Sequence, residues 1–538
     1  MKNLFPITPL ILILAFAHWA NAEIRTLSVF PERVELRSAR SRMQLVVTGI
    51  DQEGNAVDLT RQATYRPYDS AVQVASYGIV TTDADGHFSL EVSSGGQSVT
   101  LEVISEGQTD LDPIRFRSET AAVLTKQGCN AGSCHGSPRG KGGFSLSLFA
   151  FDPELDKKNL VRSGFNRRTN IYEPEQSLIL RKPLLQVPHV GGKKLRPTDV
   201  AYETLYNWIL EGARDDPDET PECIGIEVHP NTEQILRAPV VQQQLLVLAH
   251  FSDNTSRDVT RLATYDSSSS DVIDADPEGL VHGQERGQGA ITVRYLQYLE
   301  SVYFTVRRKV DGFVWKDIPE HNYVDQAVNN RLKLLQYEAG DTCSDSMFIR
   351  RVFLDLTGLL PTHAEALRFL SDRSTEKRSN LIDRLLASDS FAYYQGLLMA
   401  DLMRVNPEVL TEGRAHLFAD WIAESIAANR PFDDMTRSLL TASGDTKEVA
   451  PANYFAAITE TRETAEATAQ IFMGSRIQCA RCHNHPFENW TQNDYYSIGT
   501  VFHGIQTEGT SIKLASNRMM ANPRTGQSMK PWGMKPEK

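Results

Sequence analysis

The chain has 538 residues, 41% of them hydrophobic and 23% charged, with a formal net charge of −12. That balance calls for a packed core and excludes a wholly disordered chain. No long basic run is present, which speaks against nucleic-acid binding, and the length allows about three to five domains.

The first predicted element is an export signal. "MKNLFPITPLILILAFAHWANAE" has one lysine, an apolar core from Leu10 to Ala17, and small residues at Ala20 and Ala22. It reads as a signal peptide over 1–22. The apolar run is short and broken by Pro6 and Pro9, so it is not a good membrane span. No other stretch could cross a bilayer. The mature protein is expected to be secreted or periplasmic, associated with the cell surface, and not membrane-spanning.

An internal repeat follows. "LSVFPERVELR" (27–37) matches "IEVHPNTEQIL" (226–236), and "VDLTRQATY" (57–65) matches "RDVTRLATY" (257–265). Each copy has short β-branched runs with turn residues such as Asp51, Gly54, Asp253 and Asn254, a pattern that predicts small β-sandwiches over 23–118 and 223–308. Both copies resemble bacterial immunoglobulin-like group 2 domains. Such domains serve as spacers or as adhesive modules for a cell-surface polysaccharide or protein.

A different module lies between them, over 119–222. "SETAAVLTKQG" predicts a short helix with Ser118 as N-cap and Gly128 at its end. "CNAGSCH" (129–135) and a Gly-rich loop come next. "YETLYNWILEGA" predicts a closing helix with Leu205, Trp208 and Ile209 on one face. From 315 to 505 the apolar spacing turns helical, with Pro361 and Pro431 as punctuation. The last predicted helix, "ETAEATAQIFMGSRI", leads into "QCARCHNHPF". Residues 506–538 read as a polar tail, or as the start of a further domain.

Six cysteines stand at 129, 134, 223, 343, 479 and 482, and four of them fall in two Cys-His clusters. In an exported chain the plain expectation is disulfides. The C-x-x-C-H spacing of Cys479, Cys482 and His483 is also that of c-type haem attachment. Zinc, with His485 as a fourth ligand, and a redox disulfide are the alternatives. At the first cluster the spacer between Cys129 and Cys134 is four residues, so a simple disulfide competes with haem.

"GCNAGSCHG", "KGGFSLSLFAFDPELD", "SLILRKPLLQVPHVGGKKL" and "YETLYNWILEGA" resemble the planctomycete-type cytochrome c domain. "FIRRVFLDLTGLLPT", "NRPFDDM" and "IQCARCHNHPFENWTQNDYYSIGTVF" resemble the helical module of unknown function that accompanies it. The resemblance implies haem c bonded at Cys129 and Cys134 and ligated by His135. No methionine lies between 119 and 222, so His189 is the natural candidate for the second axial ligand, with Lys193 and Lys194 as alternatives. A second haem c would sit at Cys479, Cys482 and His483. The expected fold class is therefore multidomain. It has two all-β immunoglobulin-like sandwiches, an α-helical cytochrome c-like domain between them, and a mainly α-helical C-terminal domain. The expected function is electron transfer by an exported di-haem cytochrome that meets a redox partner protein, with no catalytic residue assigned. Two other readings stand beside it. One is a non-haem surface polymer-binding protein with disulfide or zinc Cys-His clusters. The other is a haem oxidoreductase or peroxidase.

Overall fold

The computed structural model describes residues 24–514 and 519–533. The expected signal peptide at 1–22 lies outside the described residues. The chain divides into two compact units, Met1–Glu338 and Ala339–Lys538.

The repeat in the sequence is a repeat in topology. In the first copy Ile24–Phe30, Val46–Asp51 and Ala56–Asp58 form one sheet. Arg33–Leu36, Gln97–Ser105, Gly86–Ser94 and Thr64–Pro67 form a second, in that order. In the second copy Cys223–His229, Leu246–Phe251 and Ser256–Asp258 repeat the first sheet. Gln234–Arg237, Tyr298–Arg307, Gly287–Tyr295 and Thr264–Ser267 repeat the other. Alternating residues such as Leu90, Val92, Leu101 and Val103 fill the interior, as do Ile291, Val293, Val302 and Phe304 in the second copy. Period-2 burial on one face is what makes these runs strands.

The repeated D-x-T-R-x-A-T-Y stretch is a hydrogen-bonded corner. Thr60 Oγ1 accepts from Val47 N at 2.9 Å, and Thr260 Oγ1 accepts from Val247 N at 2.9 Å. Tyr65 and Tyr265 each donate their hydroxyl to the carbonyl of that threonine at 2.7 Å. Asp58 Oδ1 accepts from Thr60 N at 2.7 Å, and Asp258 Oδ1 from Thr260 N at 2.8 Å. The threonine and tyrosine hydroxyls and one oxygen of each aspartate are satisfied within the copy, as burial requires.

Between the sandwiches lies a module of short helices: Ala121–Lys126, Pro153–Val161, Leu178–Arg181 and Val200–Leu210. The first helix differs from its prediction. It is preceded by a single π-turn, Phe116–Thr120, and Ser118 does not cap it. The Ser118 carbonyl instead accepts from the Tyr295 hydroxyl at 2.8 Å, which ties the module to the second sandwich. Gly128 follows the helix with φ 68°, a left-handed position that favours glycine. Lys126 Nζ donates to the carbonyls of Ala263 (2.7 Å) and Pro277 (2.6 Å), a second tie to the same sandwich.

The helix Tyr323–Leu335 belongs to the first unit, so the helical part does not form one body from 315 onward. Arg331 pairs with Glu233 at 2.7 Å, and Arg286 donates to the Gln336 carbonyl at 3.0 Å, which hold that helix on the second sandwich. The second unit contains Asp345–Thr357, His363–Ser371, Lys377–Leu386, Asp389–Leu402, Glu412–Ala427, Phe432–Leu440, Thr461–Phe472 and Gln492–Phe502. Its main core gathers Phe418, Ile422, Tyr454, Phe455 and Tyr495. Pro361 stands just before a capping box of Thr362 and Glu365, which starts the second of these helices.

The tail is part of this unit rather than a polar extension. Ile505–Glu508 and Ser511–Leu514 form a hairpin that adds Gly444–Asp445 as a third strand. Trp532 packs with its ring tilted against Trp490, 6.1 Å between centroids, and its amide donates to the Ser497 carbonyl at 3.0 Å. The hydrophobic anchors Ile512 and Trp532 were too sparse to show as a periodic pattern.

Candidate functional site

The first Cys-His cluster is built by a compact turn. The helix Ala121–Lys126 closes with Cys129 N donating to Leu124 O at 2.9 Å. The loop then folds back on itself, with His135 N donating to Cys129 O at 3.0 Å and Leu146 N to His135 O at 2.7 Å. Gly136 is required here, because a Cβ at that position would stand 1.9 Å from the Asn130 carbonyl oxygen. Asp156 locks the following loop by accepting from both the amide and the hydroxyl of Ser147. Burial pushes the Asp156 carboxyl up to about 6.

Cys129, Cys134, His135 and His189 line one largely apolar cavity of about 320 Å³ together with Phe144, Ile179, Pro183 and Pro188. That volume is at the small end of ligand pockets. Both imidazoles are oriented by the backbone. Nδ1 of His135 bonds to the Phe144 carbonyl at 2.9 Å, and Nδ1 of His189 to the Gly192 carbonyl at 2.8 Å. In the neutral ring that leaves Nε2 as the acceptor. Burial, and then the neighbouring His189, hold His135 below its ordinary range. Sequence reasoning did not single out Arg168, whose guanidinium lies 4.4 Å from the Phe144 ring centroid while donating to the Asn159 carbonyl at 2.9 Å. An arginine that fixes a wall by backbone hydrogen bonds has no spacing signature.

Burial, then the nearby Cys134, pushes the Cys129 thiol up to about 12. That direction disfavours the thiolate, which nucleophilic attack and metal ligation both need. Relative to an ordinary cysteine its thiolate population near neutral pH falls by roughly a thousandfold. In the reduced protein, thiol labelling followed by peptide mass spectrometry should therefore modify Cys479 and Cys482 early and Cys129 last. Early modification of Cys129 would contradict the enclosure of this site.

The second cluster is different in kind. The helix Thr461–Phe472 does not run into it. The chain leaves that helix through Met473 and Gly474 (φ 66°) and enters a 3-10 turn, Gln478–Arg481. Ile477 and Ala480 are buried and anchor the turn, while Cys479 and Cys482 are exposed. Nδ1 of His483 bonds to the Asn484 carbonyl at 2.7 Å, and His485 is buried. Tyr495 lies in the core of the second unit. Its hydroxyl donates to Glu466 at 2.7 Å. Among the described residues all six cysteines are free, and no group of three or more His, Cys, Asp and Glu could hold a metal ion.

The residues most fully missed by the sequence lie where the two sandwiches meet. Gln244 N donates to Asp58 Oδ2 at 2.5 Å, and Gln44 N donates to Asp258 Oδ2 at 2.6 Å. Each copy thus lends its aspartate to the other copy's backbone. Phe30 and His229 stack across the same seam at 3.8 Å. Burial raises both carboxyls above the ordinary aspartate range, against the pull of their amide donors. The signal that could have found them is the Asp repeated at the same place in both copies.

Residues 323–507, about a third of the chain, match the family model PSCyt2, described as a protein of unknown function (DUF1549). No curated protein matches the chain. Solved structures of the surface-layer protein SbsC match weakly. Domains 4–9 do so at 12% identity with a TM-score of 0.22, covering 53% of this chain and 31% of that one. Domains 5–6 do so at 12% identity and 0.22, covering 53% and 97%. Such scores carry neither fold nor function across. No helix among the described residues is long and apolar enough to cross a membrane.

These findings correct the expected identity and function. The family match falls at 323–507 and has no known activity, so it does not support the planctomycete-type cytochrome family, haem binding, or electron transfer to a redox partner. Nor does it support a haem oxidoreductase or peroxidase, and among the described residues Cys479, Cys482, His483 and His485 form no group that could hold a metal ion. What stands is a multidomain chain with β-sandwich-like sheets at its N-terminus and centre, and a helical C-terminal region that matches a family of unknown function.

Proposed function

We propose that the chain is a non-haem protein of the cell surface or periplasm that binds a surface polymer through its paired sandwiches. The reciprocal seam of Asp58 and Asp258 carries this reading. Two modules of the same topology, locked at fixed spacing, present equivalent faces twice. A ligand that repeats along its length can engage both faces at once, and the second contact then forms at high effective concentration. A rigid pair also loses little conformational freedom on binding. The cavity of Cys129, Cys134, His135 and His189 belongs to the module wedged against the second sandwich, where its half-buried thiols are structural.

Co-sedimentation with purified, insoluble bacterial cell walls tests the proposal. The full chain should pellet with the walls. A variant with both Asp58→Ala and Asp258→Ala, which unlocks the spacing, should bind about tenfold more weakly or worse. A full chain that stays in the supernatant overturns the reading.

A further inference from the structure

A second cavity, of about 210 Å³, opens where both sandwiches and the short-helix module meet. Its charged residues are mostly spoken for. Arg37 pairs with Glu35 at 2.9 Å, and Arg40 with Glu119 at 2.8 Å and Asp112 at 3.3 Å. Asp258 is committed to the amides of Gln44 and Thr260.

Three guanidinium groups remain. Arg42, Arg257 and Arg261 line the cavity and form no ion pair with any described residue. Arg257 lies 4.7 Å from the Phe251 ring centroid, and Arg261 lies 5.6 Å from that of Tyr77. Nε of Arg261 is buried with no hydrogen-bond partner. Buried donors are ordinarily satisfied, and this one is not, so no protein acceptor holds the Arg261 guanidinium away from the cavity it lines. Asp258, which lies close enough to Arg42 to feel its charge, and Glu203 are the lining carboxylates that oppose the three cations.

The rest of the wall is rich in hydroxyl and amide groups, among them Thr204, Asn207, Thr255 and Ser256. The volume lies below that of pockets for drug-sized ligands, which run from about 300 Å³ upward. It suits a single ring bearing several hydroxyls. Planar guanidinium groups recognise carboxylates by paired N–H donors. We infer that this cleft binds one uronic acid residue of an acidic polysaccharide, its carboxylate held by Arg42, Arg257 and Arg261. The inference rests on the polymer-binding reading and names the chemical class of the polymer.

Isothermal titration of the full chain with trigalacturonate, and with neutral maltotriose as control, is the test. Trigalacturonate should bind, more weakly as salt rises, and maltotriose should not. Arg42→Gln with Arg261→Gln should weaken binding at least tenfold while thermal unfolding stays at the parental temperature. Arg42→Lys with Arg261→Lys keeps the charge, loses the fork, and should bind at an intermediate strength. Absence of trigalacturonate binding overturns the inference, as does unchanged affinity in the Gln variant, or inorganic sulfate binding where trigalacturonate does not. If the chain pellets with cell walls but trigalacturonate does not bind, the cleft assignment alone fails. If neither binds, the polymer reading fails with it.

Discussion

Asp58→Ala is expected to deprotect an amide in the other sandwich. Gln244 N loses its acceptor 186 residues away in sequence, and Thr60 N loses its acceptor nearby. Asp258→Ala should do the reverse, deprotecting Gln44 at a separation of 214 residues and Thr260 beside it. Each orphaned buried amide costs about 1–3 kcal/mol, so one substitution, which orphans two, should destabilise the seam by roughly 2–6 kcal/mol. In amide hydrogen exchange that is a rise of roughly thirtyfold or more at the crossed glutamine. Exchange that rises only within the mutated copy would sink the idea of a reciprocal seam. Asn is a weaker perturbation, because one oxygen can still accept while the amide nitrogen cannot. The sign of the pH effect follows from burial. Both carboxyls are raised in the folded protein, so between the unfolded and folded values the native state holds more protons. Their contribution to stability is greatest below the unfolded value and falls as pH rises through the folded one. Mild acid should therefore tighten the seam, and the double Ala variant should lose that dependence.

The sequence displayed the repeat but not its use. Asp58 and Asp258 are visible in "VDLTRQATY" and "RDVTRLATY", yet their donors across the seam are the backbone amides of Gln244 and Gln44. A backbone donor leaves no trace in side-chain pattern. Helix Val200–Leu210 was legible, because Leu205, Trp208 and Ile209 recur at helical spacing and all are buried. The two Cys-His clusters looked alike as strings and fold differently. "CNAGSCH" closes a helix against a cavity, whereas "CARCH" follows a glycine exit that leaves both thiols exposed. Spacing between cysteines reports how sulfurs can meet one partner. It does not report whether anything encloses them. The charged cleft was hidden for another reason: Arg42, Arg257 and Arg261 come from two copies of the repeat, and only the packing of the copies brings them to one cavity.

Trp208→Ala should open the short-helix module and release Cys129. Trp208 is 1% exposed and lies 5.2 Å from Phe116, in a core shared with Val123, Leu124, Leu205 and Ile209. Its indole nitrogen also donates to the Arg214 carbonyl at 3.4 Å. Removing so large a buried ring costs about 3–5 kcal/mol, because the surroundings only partly collapse. Val123 and Leu124 belong to the helix that delivers Cys129, so loosening this core loosens the turn that encloses the thiol. If opening and closing are fast relative to labelling, Cys129 modification should rise by roughly two to three orders of magnitude. The exposed thiols of Cys479 and Cys482 lie in the other unit and serve as internal references whose rates should not change. A Trp208→Phe variant keeps most of the volume and should label Cys129 at a rate between the two. Unchanged labelling of Cys129 in the Ala variant would show that its protection comes from the loop alone and not from the helical core beneath it.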